Sequence, residues 1–119
     1  MSERPLADRL QVKQGRLLAV LDAPGGFNEL MGAAGDVSQA DVILAFTPDR
    51  AALDARLADL NAVCKPAAII WAAYPKLTSP LAVDLQRETV RTVAWAHGLD
   101  TVSQIAVDAD WSAMRLKRV

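Results

Sequence analysis

Ala67 to Tyr74 (AAIIWAAY) is apolar along its whole length, and prolines bracket it at positions 66 and 75. A helix of surface type would show a polar side within such a stretch; this run shows none. Its shortness, its proline boundaries and its β-branched and aromatic content read as a strand buried on both faces. Two shorter runs share the character. Arg16 to Leu21 (RLLAVL) lies between Gly15 and Pro24-Gly25-Gly26, and Asp41 to Phe46 (DVILAF) precedes Thr47-Pro48-Asp49. Strands covered on both sides belong to parallel sheets, whose crossover helices supply the cover.

The segments between these runs fit that demand. Thr47-Pro48-Asp49 reads as N-cap, proline at the first helical position and an acid near the positive dipole end. The helix it opens runs to about Val63, with Leu53, Leu57, Leu60 and Cys64 on one stripe, and Pro66 ends it. Cys64 on that stripe reads as a small buried hydrophobe. A second helix spans Leu85 to His97, with Asp84 near its start and Gly98 at C′. Thr101 to Val107 is a fourth strand. Asp108-Ala109-Asp110 turns the chain into Ser112 to Val119, where Met114 and Leu116 alternate with Arg115 and Lys117. So tight a connection predicts antiparallel pairing of the last two strands. Before the first strand, Pro5 to Leu10 forms a short helix ended at Gln14-Gly15. Residues 22–40 are irregular and glycine-rich, with one helical turn at Phe27 to Met31. The fold class is α/β: one Rossmann-like domain over residues 1–119, a mostly parallel sheet of about five strands with an antiparallel C-terminal strand, and helices on its faces.

Size bounds this picture. A chain of 119 residues and 12.8 kDa folds to a surface of roughly 6,300 Å², about a third of its extended value. With 52% apolar residues it can build a core, which excludes a disordered tail and a stapled mini-protein. It is too short for a complete dinucleotide-binding or methyl-transferring domain, which needs two βαβ halves. Thirteen basic and fourteen acidic residues leave a net charge of −1, without the basic excess of a nucleic-acid binder. Arg115, Lys117 and Arg118 cluster on the last strand as a solvated or edge-protecting group. One cysteine and one histidine exclude an internal disulfide and a cysteine-rich metal site. No run reaches the roughly 18 apolar residues of a membrane span, and the start lacks a signal peptide's apolar run. The expectation is a cytoplasmic protein with neither a membrane nor a nucleic-acid partner.

Four groups of residues are candidates for function. Val20-Leu21-Asp22-Ala23-Pro24-Gly25-Gly26-Phe27 places an acid and a glycine pair at a strand end, where backbone amides can approach a ligand. A tight turn in a shortened crossover explains the same residues. Tyr74-Pro75-Lys76 leaves the third strand at its carboxyl end, the side on which open α/β sheets bind ligands. Lys76 there can hold an anion and Tyr74 can stack or donate; a solvated loop lysine is the alternative. Asp22, Gly25, Gly26, Thr47 and Lys76 converge on one sheet edge as a binding pocket. Asp110-Trp111-Ser112 with Arg115 has no histidine near it, so Ser112 is not a triad nucleophile. Asp110 forms the turn, Trp111 covers the core edge and Arg115 pairs with a carboxylate. His97 at a helix end meets the negative pole of the dipole. On the second helix Trp95 neighbours Glu88 and Arg91, while Leu85, Val93 and Ala96 mark the core side. Trp95 and Arg91 are therefore candidates for a homodimer contact, or the ring folds over a loop.

From Asp41 to its end the chain resembles the second half of the Rossmann-like methyltransferase fold, which closes a βαβαβ series with one antiparallel strand. The Pro24-Gly25-Gly26-Phe27 run is similar to the adenosylmethionine loop of some RNA methyltransferases. It falls short of the Asp-x-Gly spacing, and Asp41, 19 residues after Asp22, opens a strand instead of closing one. Leu6-Ala7-Asp8-Arg9-Leu10 with Gly15, Ile69-Ile70-Trp71 with Pro75-Lys76, and Asp110-Trp111-Ser112-Ala113-Met114-Arg115-Leu116 resemble a family of small actinobacterial proteins of unknown function. That likeness implies an α/β domain and no reaction. No cofactor, metal or catalytic residue follows from these motifs. Two functions stand: a non-catalytic binding or interaction module on a reduced methyltransferase-like fold, and a protein or enzyme holding a small, anionic, nucleotide- or adenosylmethionine-like ligand.

Overall fold

In the computed structural model, which describes residues 10, 16–22, 37–65 and 67–119, the apolar run becomes strand β3 (Ile69–Pro75), buried from Ile70 onward. Its side chains alternate between two cores. Ile70, Ala72 and Tyr74 join one cluster; Trp71 and Ala73 join the other. Strands β1 (Leu18–Leu21) and β2 (Val42–Phe46) run parallel to it, with Leu44 opposite Val20 and Trp71. All five residues of β2 are buried, which is why no polar position interrupts its sequence.

Strands β4 (Leu99–Ala106) and β5 (Trp111–Arg118) complete a five-stranded sheet in the order β1-β2-β3-β5-β4. The last strand pairs antiparallel with β4 as expected, and also with β3, so it lies inside the sheet. Its cations therefore guard no edge. Arg118 reaches instead to Asn61 Oδ1 and Cys64 Sγ, both at 3.2 Å. No described carboxylate pairs with Arg115, contrary to expectation. The turn is made by Asp108 and not by Asp110. The Asp108 carboxylate accepts the amides of Asp110 and Trp111 at 2.8 Å, while Asp110 accepts the Ser79 hydroxyl at 2.9 Å.

Helix α1 (Arg50–Val63) connects β2 to β3 and buries Leu53, Leu57 and Leu60. Its cap is Asp49 and not Thr47: Asp49 is extended, and its carboxylate accepts the Ala52 amide at 2.8 Å. Cys64 is the C-cap and is only partly buried. Helix α2 (Arg87–Ala96) buries Val90, Val93 and Ala94 and leaves Ala96 exposed, so the core face is rotated from the expected one. Leu85 is buried ahead of the helix. Asp84 caps no part of α2; it accepts the first amide of α1, Arg50 N, at 2.8 Å. Gly98 has φ +75°, the left-handed geometry expected of a residue after a helix end. His97 is the C-cap of α2, and its Nε2 lies 2.7 Å from Asp54 of α1.

Both helices pack on the cluster that holds Ile43, Ile70 and Met114. The opposite face carries Phe46, Trp71 and Trp111, with Leu10 buried among them. The Trp71 indole donates to the Leu10 carbonyl at 3.0 Å, which fixes one point of the N-terminal segment to the sheet. The helix expected at Pro5 to Leu10, apart from Leu10, and the turn expected at Phe27 to Met31 lie outside the described residues.

Candidate functional site

Three parallel strands deliver their carboxyl ends to one edge of the sheet. Asp22 follows β1, Thr47 follows β2 and Lys76 follows β3. Asp22, Thr47 and Lys76 share this edge, but Asp22 and Lys76 line different cavities. Gly25 and Gly26 lie outside the described residues.

Asp22 has φ +57°, an uncommon conformation for a residue with a Cβ, though aspartate tolerates it better than most. Its carboxylate is engaged by the Arg56 guanidinium of α1. The pair borders a cavity of about 480 Å³, walled by Phe46, Pro48, Ala52 and Trp111. Phe46 and Trp111 meet there edge to face, with centroids 5.1 Å apart. This end is mainly apolar, and its two described acids, Asp22 and Asp59, both face the Arg56 guanidinium. Thr47 is 1% exposed and lines neither this cavity nor the next. Its hydroxyl donates to the Ala73 carbonyl at 2.7 Å, and its amide donates to the same oxygen at 2.8 Å. The threonine thus clamps β2 to β3.

Lys76 lines a separate cleft of about 590 Å³ with Tyr74, Gln86, Arg87, Gln104 and Ser112. The grouping follows from the pleat. Tyr74 and Lys76 are two residues apart, so both project to the helical face. Ser112 lies directly opposite Tyr74 in register. Arg87 opens α2 over the cleft, and its Nε donates to Gln104 Oε1 at 3.0 Å. Burial pushes the Tyr74 phenol above the usual tyrosine range, opposed in part by the charge on Arg87. The sequence pointed to Tyr74 and Lys76. It named Ser112 only in the separate Asp110-Trp111-Ser112 group and did not point to Arg87 or Gln104, because their proximity depends on β5 entering the sheet beside β3.

The outer face of α2 bears Trp95, 56% exposed, with the Arg91 guanidinium 4.5 Å above its ring. Arg91 also pairs with Asp100 on β4 at 3.2 Å. The Asp100 carboxyl is held below the usual range by the Trp95 indole N–H, then by the Thr101 amide and Arg91. Arg91 thus links Trp95 to Asp100 of β4, and the ring still faces outward. Among the described residues no group of three or more metal-ligating side chains occurs, and no helix is long and apolar enough to cross a membrane.

The order β1-β2-β3-β5-β4, with the last strand antiparallel between its neighbours, defines a Rossmann-like α/β domain of methyltransferase-like fold. A type 11 methyltransferase candidate from Sulfolobus solfataricus superposes with a TM-score of 0.64 at 12% identity, over 95% of this chain and 89% of that one. The mitomycin 7-O-methyltransferase MmcR superposes at 0.58 and 12% identity, over 88% of this chain and 50% of its own. The O-methyltransferase NcsB1 of neocarzinostatin biosynthesis, in complex with S-adenosyl-L-homocysteine, gives 0.56 at 10% identity over 86% and 42%. The chain thus spans half or less of the latter two proteins. No family model and no curated protein matches it, so the likeness to the actinobacterial proteins rests on the residues quoted for it alone.

Proposed function

We propose that residues 1–119 form a non-catalytic binding or interaction module on a reduced methyltransferase-like fold, working in the cytoplasm. The span between β1 and β2 carries this reading. Only residues 22–41 separate those two adjacent strands. One βαβ unit takes about 30 residues or more. The doubly wound sheet reads a ribose with an acid on its second strand, and the span has no room for that strand and its helix. What remains at the ends of β1 and β2 is spent internally, Asp22 on Arg56 and Thr47 on Ala73. Thermal shift with adenosylmethionine and adenosylhomocysteine tests the reading. A ligand at a hundred times its Kd adds about 2.7 kcal/mol; the expected result is no shift with either.

A specific observation favours the second reading. The left-handed Asp22 borders a cavity at the carboxyl end of β1, and strained residues gather at ligand sites. NcsB1, a structural neighbour, is in complex with an adenosyl compound. In that reading Asp22, Gly25, Gly26, Thr47 and Lys76 hold a nucleotide- or adenosylmethionine-like ligand. A thermal shift lost in Asp22→Ala would establish it and overturn the first.

The partner of the module is a second copy of the chain, joined through Trp95 and Arg91. An exposed tryptophan whose neighbouring cation is already neutralised loses little on desolvation. Sedimentation of the wild type should show a dimer and Trp95→Ala a monomer; a wild-type monomer at high concentration would remove this partner.

A further inference from the structure

We propose that the cleft at the carboxyl end of β3 is a binding site for a small phosphate monoester. Its distinguishing feature is unused hydrogen-bonding capacity. Tyr74 is 4% exposed and Ser112 is 5% exposed, yet neither hydroxyl has a hydrogen-bond partner among the described residues. Both line the cleft, side by side across β3 and β5. Buried polar groups in folded proteins are nearly always satisfied, so two adjacent unsatisfied hydroxyls on one cavity wall indicate a missing acceptor.

Three further donors converge there. Helix α2 begins on the wall, and its N-cap Gln86 makes no side-chain bond to the first-turn amides. Those amides sit at the positive end of the helix dipole. Lys76 has no carboxylate partner among the described residues. Arg87 spends Nε on Gln104, and its two terminal nitrogens have no partner among the described residues. Glu88 is the one acid among the described lining residues, and it is exposed. The donors come from β3, β5 and the start of α2, hence from several directions. A planar carboxylate would leave some of them unused. A phosphate monoester offers three terminal oxygens and nearly two negative charges, which matches two cations and two hydroxyls. A cavity of about 590 Å³ also leaves space for the organic part of the ester. A tyrosine phenol is protonated at neutral pH, so Tyr74 is available there as a donor.

This site shares no lining residue with the cavity at Asp22. Only Lys76 is common to this proposal and the second reading, and Tyr74→Phe against Asp22→Ala tells the two apart. The test is an amide-resolved NMR titration with glycerol phosphate at constant ionic strength, with glycerol and inorganic phosphate as controls. Glycerol phosphate should give saturable shifts at Lys76, Arg87 and Glu88, and glycerol none. Lys76→Ala should weaken binding roughly tenfold or more, since it removes a charge-assisted bond. Tyr74→Phe should weaken it several-fold and leave the rest of the spectrum in place, and Arg56→Ala should change nothing. The proposal is overturned by an absence of saturable shifts up to about 10 mM, by equal shifts with glycerol, or by inorganic phosphate binding as tightly as the ester. Unchanged affinity in both Lys76→Ala and Tyr74→Phe would also overturn it.

Discussion

The end of the sheet at β1 and β2 and the end at β3 and β5 face the same way but hold their polar groups in opposite states. At the first, Arg56 satisfies Asp22, and Thr47 donates into the strand beside it. At the second, Tyr74 and Ser112 are also buried, their hydroxyls have no partner among the described residues, and two cations flank them. Burial alone therefore does not mark a site. What marks one is burial without a partner, because the fold bears that cost only where something else can repay it.

The largest expected effect tests the support that both ends share. Trp71 is fully buried in the central strand and anchors the Leu10 carbonyl. Trp71→Ala should cost about 3–5 kcal/mol by chemical denaturation. A loss under about 1 kcal/mol would mean that the face opposite the helices is not packed around this ring. The next pair of variants goes to the comparison itself. Thr47→Val should cost about 1 kcal/mol, since it removes a satisfied buried bond, whereas Ser112→Ala should be neutral or slightly stabilising. Equal costs for the two would erase the contrast between the ends.

Smaller effects appear on titration. Tyr74 is the single tyrosine of the chain, so an ultraviolet absorbance titration reports it alone. Its phenol should ionise above the usual tyrosine range because burial disfavours the anion. A folded value above the unfolded one contributes stability that is complete below the ordinary tyrosine pKa and is lost as pH rises past it. Tyr74→Phe should therefore flatten the alkaline side of the stability curve; an unchanged slope would place the ring in solvent. Asp41 gives the opposite sign and the smallest change. The Leu17 amide and then Lys65 hold its carboxyl below the usual range. Its contribution is present above the ordinary aspartate pKa and fades as pH falls through the lowered value. Asp41→Asn should slightly reduce the acid sensitivity of unfolding.

Much of the architecture was legible because it rests on period and punctuation. β2 and β3 are uninterrupted apolar runs, Leu53, Leu57 and Leu60 hold one helical stripe, and Gly98 stops α2 at a positive φ. What escaped was long-range choice among local equals. Thr47 and Asp49 both make good caps, and β3 decided between them by taking the threonine hydroxyl. Asp108 and Asp110 both make good turns, and Ser79, 31 residues from Asp110, claimed the second. The same holds for the sites. Lys76 could be placed at a strand end from sequence, but its separation from Asp22 depends on which walls the helices raise between them.

The bond from the Arg50 amide to Asp84 links these regions mechanically. Asp84 belongs to the segment that leads from Lys76 to the start of α2, and Arg50 is the first residue of α1. A segment anchored this way cannot lift from the sheet without uncapping a helix 34 positions earlier in the chain. Its opening is therefore a two-element event, and hydrogen exchange at Arg50 should keep time with the loop and not with the rest of α1.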